Sequence, residues 1–182
     1  MSLAPADDRR RSFTALAEQV HEPLQRYLRR RTDVTTAEDV LGDVLLVMWR
    51  RLDDVPPDAP LPWAYGVAHR CLANAQRGQR RQLALVRRVA TERPAPSVAD
   101  DSDPVLAEAL TALSGDDREL LRLWAWEDLA PQDIALVLGV TPNAVSIRLH
   151  RAKKKLREEL VRRKDPAAAG QVGDRQQMQE PR

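Results

Sequence analysis

The sequence predicts an all-α fold: two small helical domains joined by a flexible linker, the second ending in a helix-turn-helix. Three observations predict it. Only seven glycines and one phenylalanine occur among 182 residues rich in Leu, Ala, Arg and Glu, a composition that favours helix over strand. Apolar residues recur every three or four positions through most of the chain, the period of a helix with one buried face. The stretch "TERPAPSVADDSDP", residues 91–104, then breaks that period with three prolines, small residues and acids, which is linker composition.

Composition narrows the function classes. A hydrophobic fraction of 43% suffices for a core, and the length allows one large or two small domains. The net charge of +2 is nearly neutral, but Arg and Lys cluster, so partners of opposite sign should meet different parts of the chain. A single cysteine, Cys71, excludes an internal disulfide, and no Cys/His set has metal-ligand spacing. His21, His69 and His150 are scattered, with no nucleophile-base pair and no Gly-rich phosphate loop. No enzymatic activity, metal, cofactor or small-molecule substrate is therefore expected. The start "MSLAPADDRRR" lacks an apolar core, and the run "VLLVMW" is far too short to span a bilayer, so a cytoplasmic protein without direct membrane insertion is expected.

Along the chain, residues 1–11 read as a flexible N-terminus and residues 12–90 as a first domain with helices over 12–31, 36–52 and about 61–90. Residues 91–102 are the linker, 103–164 a second domain and 165–182 a disordered tail with few large apolar groups. Asp103 before Pro104 forms an N-cap and first-turn pair, opening a helix through Leu113. Ser114 with Asp117 resembles a capping box for the helix "DDRELLRLWAWED".

The last helix is the most informative. Thr141 suits its N-cap and Pro142 its first position. Val145, Leu149, Ala152, Leu156 and Leu160 form one narrow apolar stripe. Asn143, Ser146, Ile147, His150, Arg151 and Lys154 fall on the opposite side, with Arg148 among them in sequence. A short polar tip followed by a cationic body suits a helix that enters a DNA groove, although a charge run can also be only a solvated face. The preceding "APQDIALVLGV" decides between them. Ala135, Gly139 and Val145 stand where a helix-turn-helix needs a small residue, a glycine free to take positive φ, and a branched apolar lock. In that motif the second helix lies in the major groove.

Two patches mark the first domain. In "TAEDVLGDVLLVMWRRL", Ala37, Val40, Leu41, Val44, Leu45, Met48 and Leu52 fill an inward face. Glu38, Asp39, Asp43, Leu46 and Trp49 remain on the other side, either a partner surface with an apolar centre or a surface covered by another helix. After the proline-rich loop Asp53–Pro62 comes a segment headed by Trp63 and Tyr65, with Arg70, Asn74, Arg77, Arg80, Arg81, Arg87 and Arg88 behind. Aromatic faces stack on unpaired bases while guanidinium groups hold phosphates, and core packing is the alternative for the two rings. Arg26, Arg29, Arg30 and Arg31 add a second basic cluster.

Together these features resemble a bacterial RNA polymerase sigma factor of the extracytoplasmic-function group, which keeps conserved regions two and four. "AEDVLGDVLLVMWRRL" looks like region 2.2, "PWAYGVAHRCLANAQRGQRR" like regions 2.3 and 2.4, and residues 113–160, ending "VSIRLHRAKKKLREEL", like region four. The resemblance implies a promoter-recognition subunit that binds core RNA polymerase. Glu38, Asp39, Asp43, Leu46 and Trp49 would dock on the β′ clamp helices, with the β subunit also engaged. The loop Asp53–Pro62 would capture a flipped base of the melted minus-10 element. Trp63, Tyr65, Arg70, Asn74, Arg77, Arg80 and Arg81 would hold that strand. Asn143, Ser146, Ile147, Arg148, His150, Arg151 and Lys154 would read the minus-35 element. Asp100, Asp101 and Asp103 suit a linker that follows a path otherwise taken by nucleic acid. An anti-sigma factor is the further partner implied.

The sequence departs from the family in three places. The asparagine common near "VAHRCLAN" falls on Arg70 or on Asn74, Ser146 stands where lysine is common, and Ala130 replaces a polar cap. Two other readings compete with a sigma factor. A conventional helix-turn-helix regulator with a helical sensor domain would need neither the acidic patch nor the second basic segment. A helical adaptor or inhibitor that binds only proteins would show no salt-dependent DNA binding.

Overall fold

In the computed structural model the described residues are 4–86 and 103–164, and every regular element among them is helical. Seven α-helices occur there: α1 (Ala4–Arg29), α2 (Val34–Arg50), α3 (Pro60–Val86), α4 (Pro104–Ala112), α5 (Gly115–Ala125), α6 (Pro131–Leu138) and α7 (Pro142–Lys164), with a 3-10 turn at Leu52–Asp54. Arg87, Arg88, Asp100, Asp101 and the tail after residue 164 lie outside the described residues. These helices form two compact units, one of α1, α2, α3 and α6, the other of α4, α5 and α7.

In the first unit, α1 buries Leu16, Val20, Leu24, Tyr27 and Leu28 along one stripe. It starts at Ala4, well ahead of the predicted start at residue 12. The reason is long-range: Arg9 and Phe13 hold its first turns to Trp49 of α2. Asp33 caps α2 by accepting a hydrogen bond from the Thr36 amide at 2.9 Å, and that bond lowers its carboxyl pKa. Ala37, Val40, Leu41, Val44 and Met48 are buried as their spacing requires. Leu45 and Leu52, expected inward, sit at the margins of the stripe and are only half-buried. Gln79 of α3 donates to Thr36 of α2 at 3.1 Å.

Helix α3 contributes Ala64, Tyr65, Val67, Ala68 and Leu72 to this core, each large apolar side chain adding about 1.5–3 kcal/mol by leaving water. Helix α6 lies against α3 at Gly66, where an added Cβ would meet the Leu136 carbonyl oxygen and the Val137 Cα at 3.5 Å. A methyl group there would be in ordinary van der Waals contact.

The second unit packs Ala109, Leu110, Leu113, Leu120, Leu121, Leu123, Val145, Leu149 and Ala152. Both expected N-caps are present: Asp103 accepts from the Val105 amide at 2.9 Å and Ser114 from the Asp117 amide at 3.1 Å. Arg118 of α5 donates to the carbonyls of Leu110, Thr111 and Leu113 at 2.9, 3.0 and 3.1 Å. One guanidinium thus adds a donor to three carbonyls at the end of α4, of which that of Leu110 also accepts from the Leu113 amide at 3.2 Å. Leu156 and Leu160, expected on the inward stripe of α7, are half-buried, because the helix runs on past the core it packs against.

Candidate functional site

Three exposed faces carry the candidate residues. The outer face of α7 presents Asn143, Ser146, Ile147, His150, Arg151 and Lys154, with Arg148 at the margin of the apolar stripe, and all seven are exposed. Pro142 opens the helix, so Asn143 and Ser146 fall in its first two turns, near the positive end of the helix dipole. Lys154 pairs loosely with Glu158 at 3.8 Å, whereas Arg148 and Arg151 have no ion pair among the described residues. Cations that the fold leaves uncommitted are available for phosphates. Ile147 stays 45% exposed between them, an apolar tip suited to a thymine methyl group. Gly139, with φ of 67°, ends α6 in the left-handed conformation three residues before Pro142. Ala135 and Val145, the other two positions of the motif, are buried.

The second face belongs to α3. Arg70, Asn74, Arg77, Arg80 and Arg81 are all exposed. At about 100° per residue, Arg70, Asn74, Arg77 and Arg81 fall within about 60° of one another, and Arg80 lies to one side. Arg77 donates to the Asn74 side-chain carbonyl, which orients both on the same stripe. Trp63 heads this stripe half-buried, with the Arg51 guanidinium 5.9 Å from its ring centroid. Tyr65 does not join it. Its ring is buried against Tyr27 at 5.1 Å between centroids, because two residues along a helix turn it to the opposite side. The expected stacking role for Tyr65 gives way to a core role. Cys71, on the same helix, is half-buried, and burial raises its thiol pKa.

The third face is on α2. Glu38, Asp39 and Asp43 are exposed, and Leu46 is 46% exposed among them. Arg29 approaches Glu38 at 4.0 Å. Trp49 is different. It is half-buried, with Phe13 edge-on at 5.3 Å and the Arg9 guanidinium 5.4 Å from its ring. The apolar centre of this surface is therefore Leu46, with Trp49 partly covered by α1.

No group of His, Cys, Asp and Glu among the described residues could hold a metal ion, and no helix there is long and apolar enough to cross a membrane. Sequence reasoning missed Trp124, an exposed ring on α5 with Lys153 Nζ 3.3 Å from its centroid.

The family model of sigma-70 region 2 matches residues 16–82, and that of sigma-70 region 4 matches residues 105–156. The RNA polymerase sigma factor CarQ of Myxococcus xanthus is 35% identical over 129 residues, covering 68% of this chain and 74% of that protein. The chain belongs to the sigma-70 family of RNA polymerase sigma factors. Within it, the chain is of the extracytoplasmic-function group, and such a factor recognises promoters at transcription initiation. A solved structure of CnrH in complex with the cytosolic domain of CnrY matches at a TM-score of 0.57 and 26% identity, over 83% of this chain and 88% of that one. CnrH is a sigma factor of Cupriavidus metallidurans. The fold also matches the sigma factor RpoE, solved with the anti-sigma factor NepR from Bartonella quintana. That match has a TM-score of 0.56 at 21% identity and covers 87% of this chain and 98% of the other. The acidic face of α2 and the basic stripe of α3 fall inside region 2, and the outer face of α7 up to Lys154 falls inside region 4.

Proposed function

We propose that this sigma factor binds core RNA polymerase through the acidic face of α2, using Glu38, Asp39, Asp43, Leu46 and the exposed edge of Trp49 on the β′ clamp helices. Residues 12–90 act as region 2 and residues 103–164 as region 4, with 91–102 the linker between them and the β subunit engaged beyond the clamp contact. The loop Asp53–Pro62 captures a base flipped from the melted minus-10 element. Extrusion costs a few kcal/mol, so a loop that holds the extruded base converts strand opening into sequence recognition. Trp63, Arg70, Asn74, Arg77, Arg80 and Arg81 then hold the strand by stacking and phosphate pairing.

The outer face of α7 reads the minus-35 element. The observation that carries this reading is the pair Arg148 and Arg151: both are exposed and neither has an ion pair among the described residues. Phosphate contacts by such cations fix register, while Asn143, Ser146, Ile147 and His150 reach base edges. The factor acts by binding, without cofactor, metal or small-molecule substrate. An anti-sigma factor as a further partner is supported by the fold match to RpoE solved with NepR.

The test is run-off transcription by sigma-free bacterial core polymerase over a pool of genomic promoter fragments from the host. Specific transcripts that appear with the protein and vanish on Arg148→Glu with Arg151→Glu are expected. Absence of transcripts, with salt-sensitive binding to symmetric duplex sites, would instead identify a conventional dimeric regulator.

A further inference from the structure

The first turns of α1 make a contact that neither the motif reading nor the family match uses. The region 2 match begins at residue 16, and Arg9 and Phe13 precede it. Arg9 Nη1 donates to Asp53 Oδ2 at 2.8 Å, and its Nη2 donates to the Trp49 carbonyl at 2.9 Å. The guanidinium also lies 5.4 Å from the Trp49 ring, which Phe13 meets edge-on. Trp49 stands in the last turn of α2, and Asp53 in the 3-10 turn that opens the loop to α3. A single planar fork therefore bridges the end of one helix and the first residue of the loop. On the far side of that turn, Arg51 binds Asp54 at 2.8 Å and lies over Trp63.

We propose that Arg9 is a positioning residue for minus-10 recognition: it sets the angle at which the loop Asp53–Pro62, whose last three residues already belong to α3, leaves α2, so that the base-capturing loop is ordered before DNA arrives. The inference rests on the reading of that loop given above. A lone surface ion pair contributes little, and Asp53 is 83% exposed. Arg9 is not a lone pair member. Its side chain is only 33% exposed, and three groups converge on it. What it supplies is preorganisation, because a loop already held in its binding geometry loses less freedom when it captures a base.

The experiment uses the full chain with core polymerase and the promoter recovered from the run-off screen, made as a set of single-base variants across the minus-10 element. Open-complex formation on each variant gives a best-to-worst ratio. Arg9→Ala is expected to lower that ratio about fivefold, the scale of a partly exposed multi-contact arginine. Core-polymerase affinity and thermal midpoint stay near wild type. Asp53→Ala lowers the ratio less, because it removes only one of the three contacts of Arg9, and the double variant goes no lower than Arg9→Ala alone. An unchanged ratio in Arg9→Ala, while replacement of residues 55–59 by Gly-Ser collapses it, overturns the positioning role and leaves the loop reading intact. An unchanged ratio in the loop replacement overturns the loop reading and the role of Arg9 with it. A fall in ratio accompanied by equal losses of core affinity and thermal midpoint assigns Arg9 a general structural role and also overturns the proposal.

Discussion

Lys155 Nζ lies 2.7 Å from the Asp117 carboxylate and joins α7 to the first turn of α5. The hydrogen bond from Lys155 is the main reason the Asp117 carboxyl titrates below its ordinary value of 3.8, with the Ser114 bond adding to it. A depressed folded pKa contributes stability in full above the unfolded value, and the contribution disappears as pH falls through the folded one. Lys155 is 56% exposed, so solvent screening holds the pair to about 1 kcal/mol or less. Lys155→Met should therefore lower the denaturation midpoint at pH 7, and the gap to wild type should close in acid below the ordinary carboxylate range. A gap of equal size at both pH values would show that the methylenes of Lys155, not its charge, carry the effect.

Arg118 predicts a larger loss. Its guanidinium donates to three carbonyls at the C-terminal end of α4, two of them in part-buried surroundings. Replacing it by Ala leaves those acceptors without the donor, at a cost of about 1–3 kcal/mol. Urea denaturation of Arg118→Ala should show this, while Arg162→Ala, whose partner Glu159 is one turn away on the same helix, should lie within about 0.5 kcal/mol of wild type.

These two arginines show where reading the sequence succeeds and where it stops. The exposed row from Asn143 to Lys154 is legible because a helix face depends only on local spacing, and so is the buried set from Ala37 to Met48. The caps at Asp103 and Ser114 are legible for the same reason. The three bonds of Arg118 are not, since nothing in "DDRELL" distinguishes an arginine that reaches back to the preceding helix. Spacing alone leaves Trp49 open between partner surface and covered surface, and the structure divides the answer: Leu46 is exposed and Trp49 half-covered. Its cover comes from Arg9, 40 residues away in sequence, a distance over which periodicity carries no information. Tyr65 is a different kind of miss. The helical period already places it opposite Arg70, but its chemistry, shared with Trp63, suggests a common role.

That contrast separates the two aromatics experimentally. Tyr65 is buried against Tyr27, so Tyr65→Ala should cost about 3–5 kcal/mol in folding stability, as for other large aromatic truncations in a core. Trp63 is half-buried at the head of the basic stripe, so Trp63→Ala should lower the thermal midpoint clearly less than Tyr65→Ala does. Its loss should fall on promoter opening, by about 1–3 kcal/mol if one base stacks on the ring. Equal destabilisation by both substitutions would place Trp63 in the core with Tyr65.

The outer face of α7 gives the most direct test of the DNA reading. Arg148 and Arg151 are exposed and without ion pairs among the described residues, so charge removal there breaks no ion pair among them. Every phosphate that is no longer neutralised makes the slope of log affinity against log salt shallower by about 0.9. Binding of the full chain to duplex minus-35 DNA, measured across a salt series, should therefore show a slope shallower by about two in the Arg148→Ala, Arg151→Ala double variant. A side chain that reads a base edge behaves differently: Asn143→Ala should relax preference at one base position and leave the slope unchanged. Should the double variant bind with wild-type affinity and slope, α7 would present a solvated basic face, and region 4 would have to reach DNA through another surface.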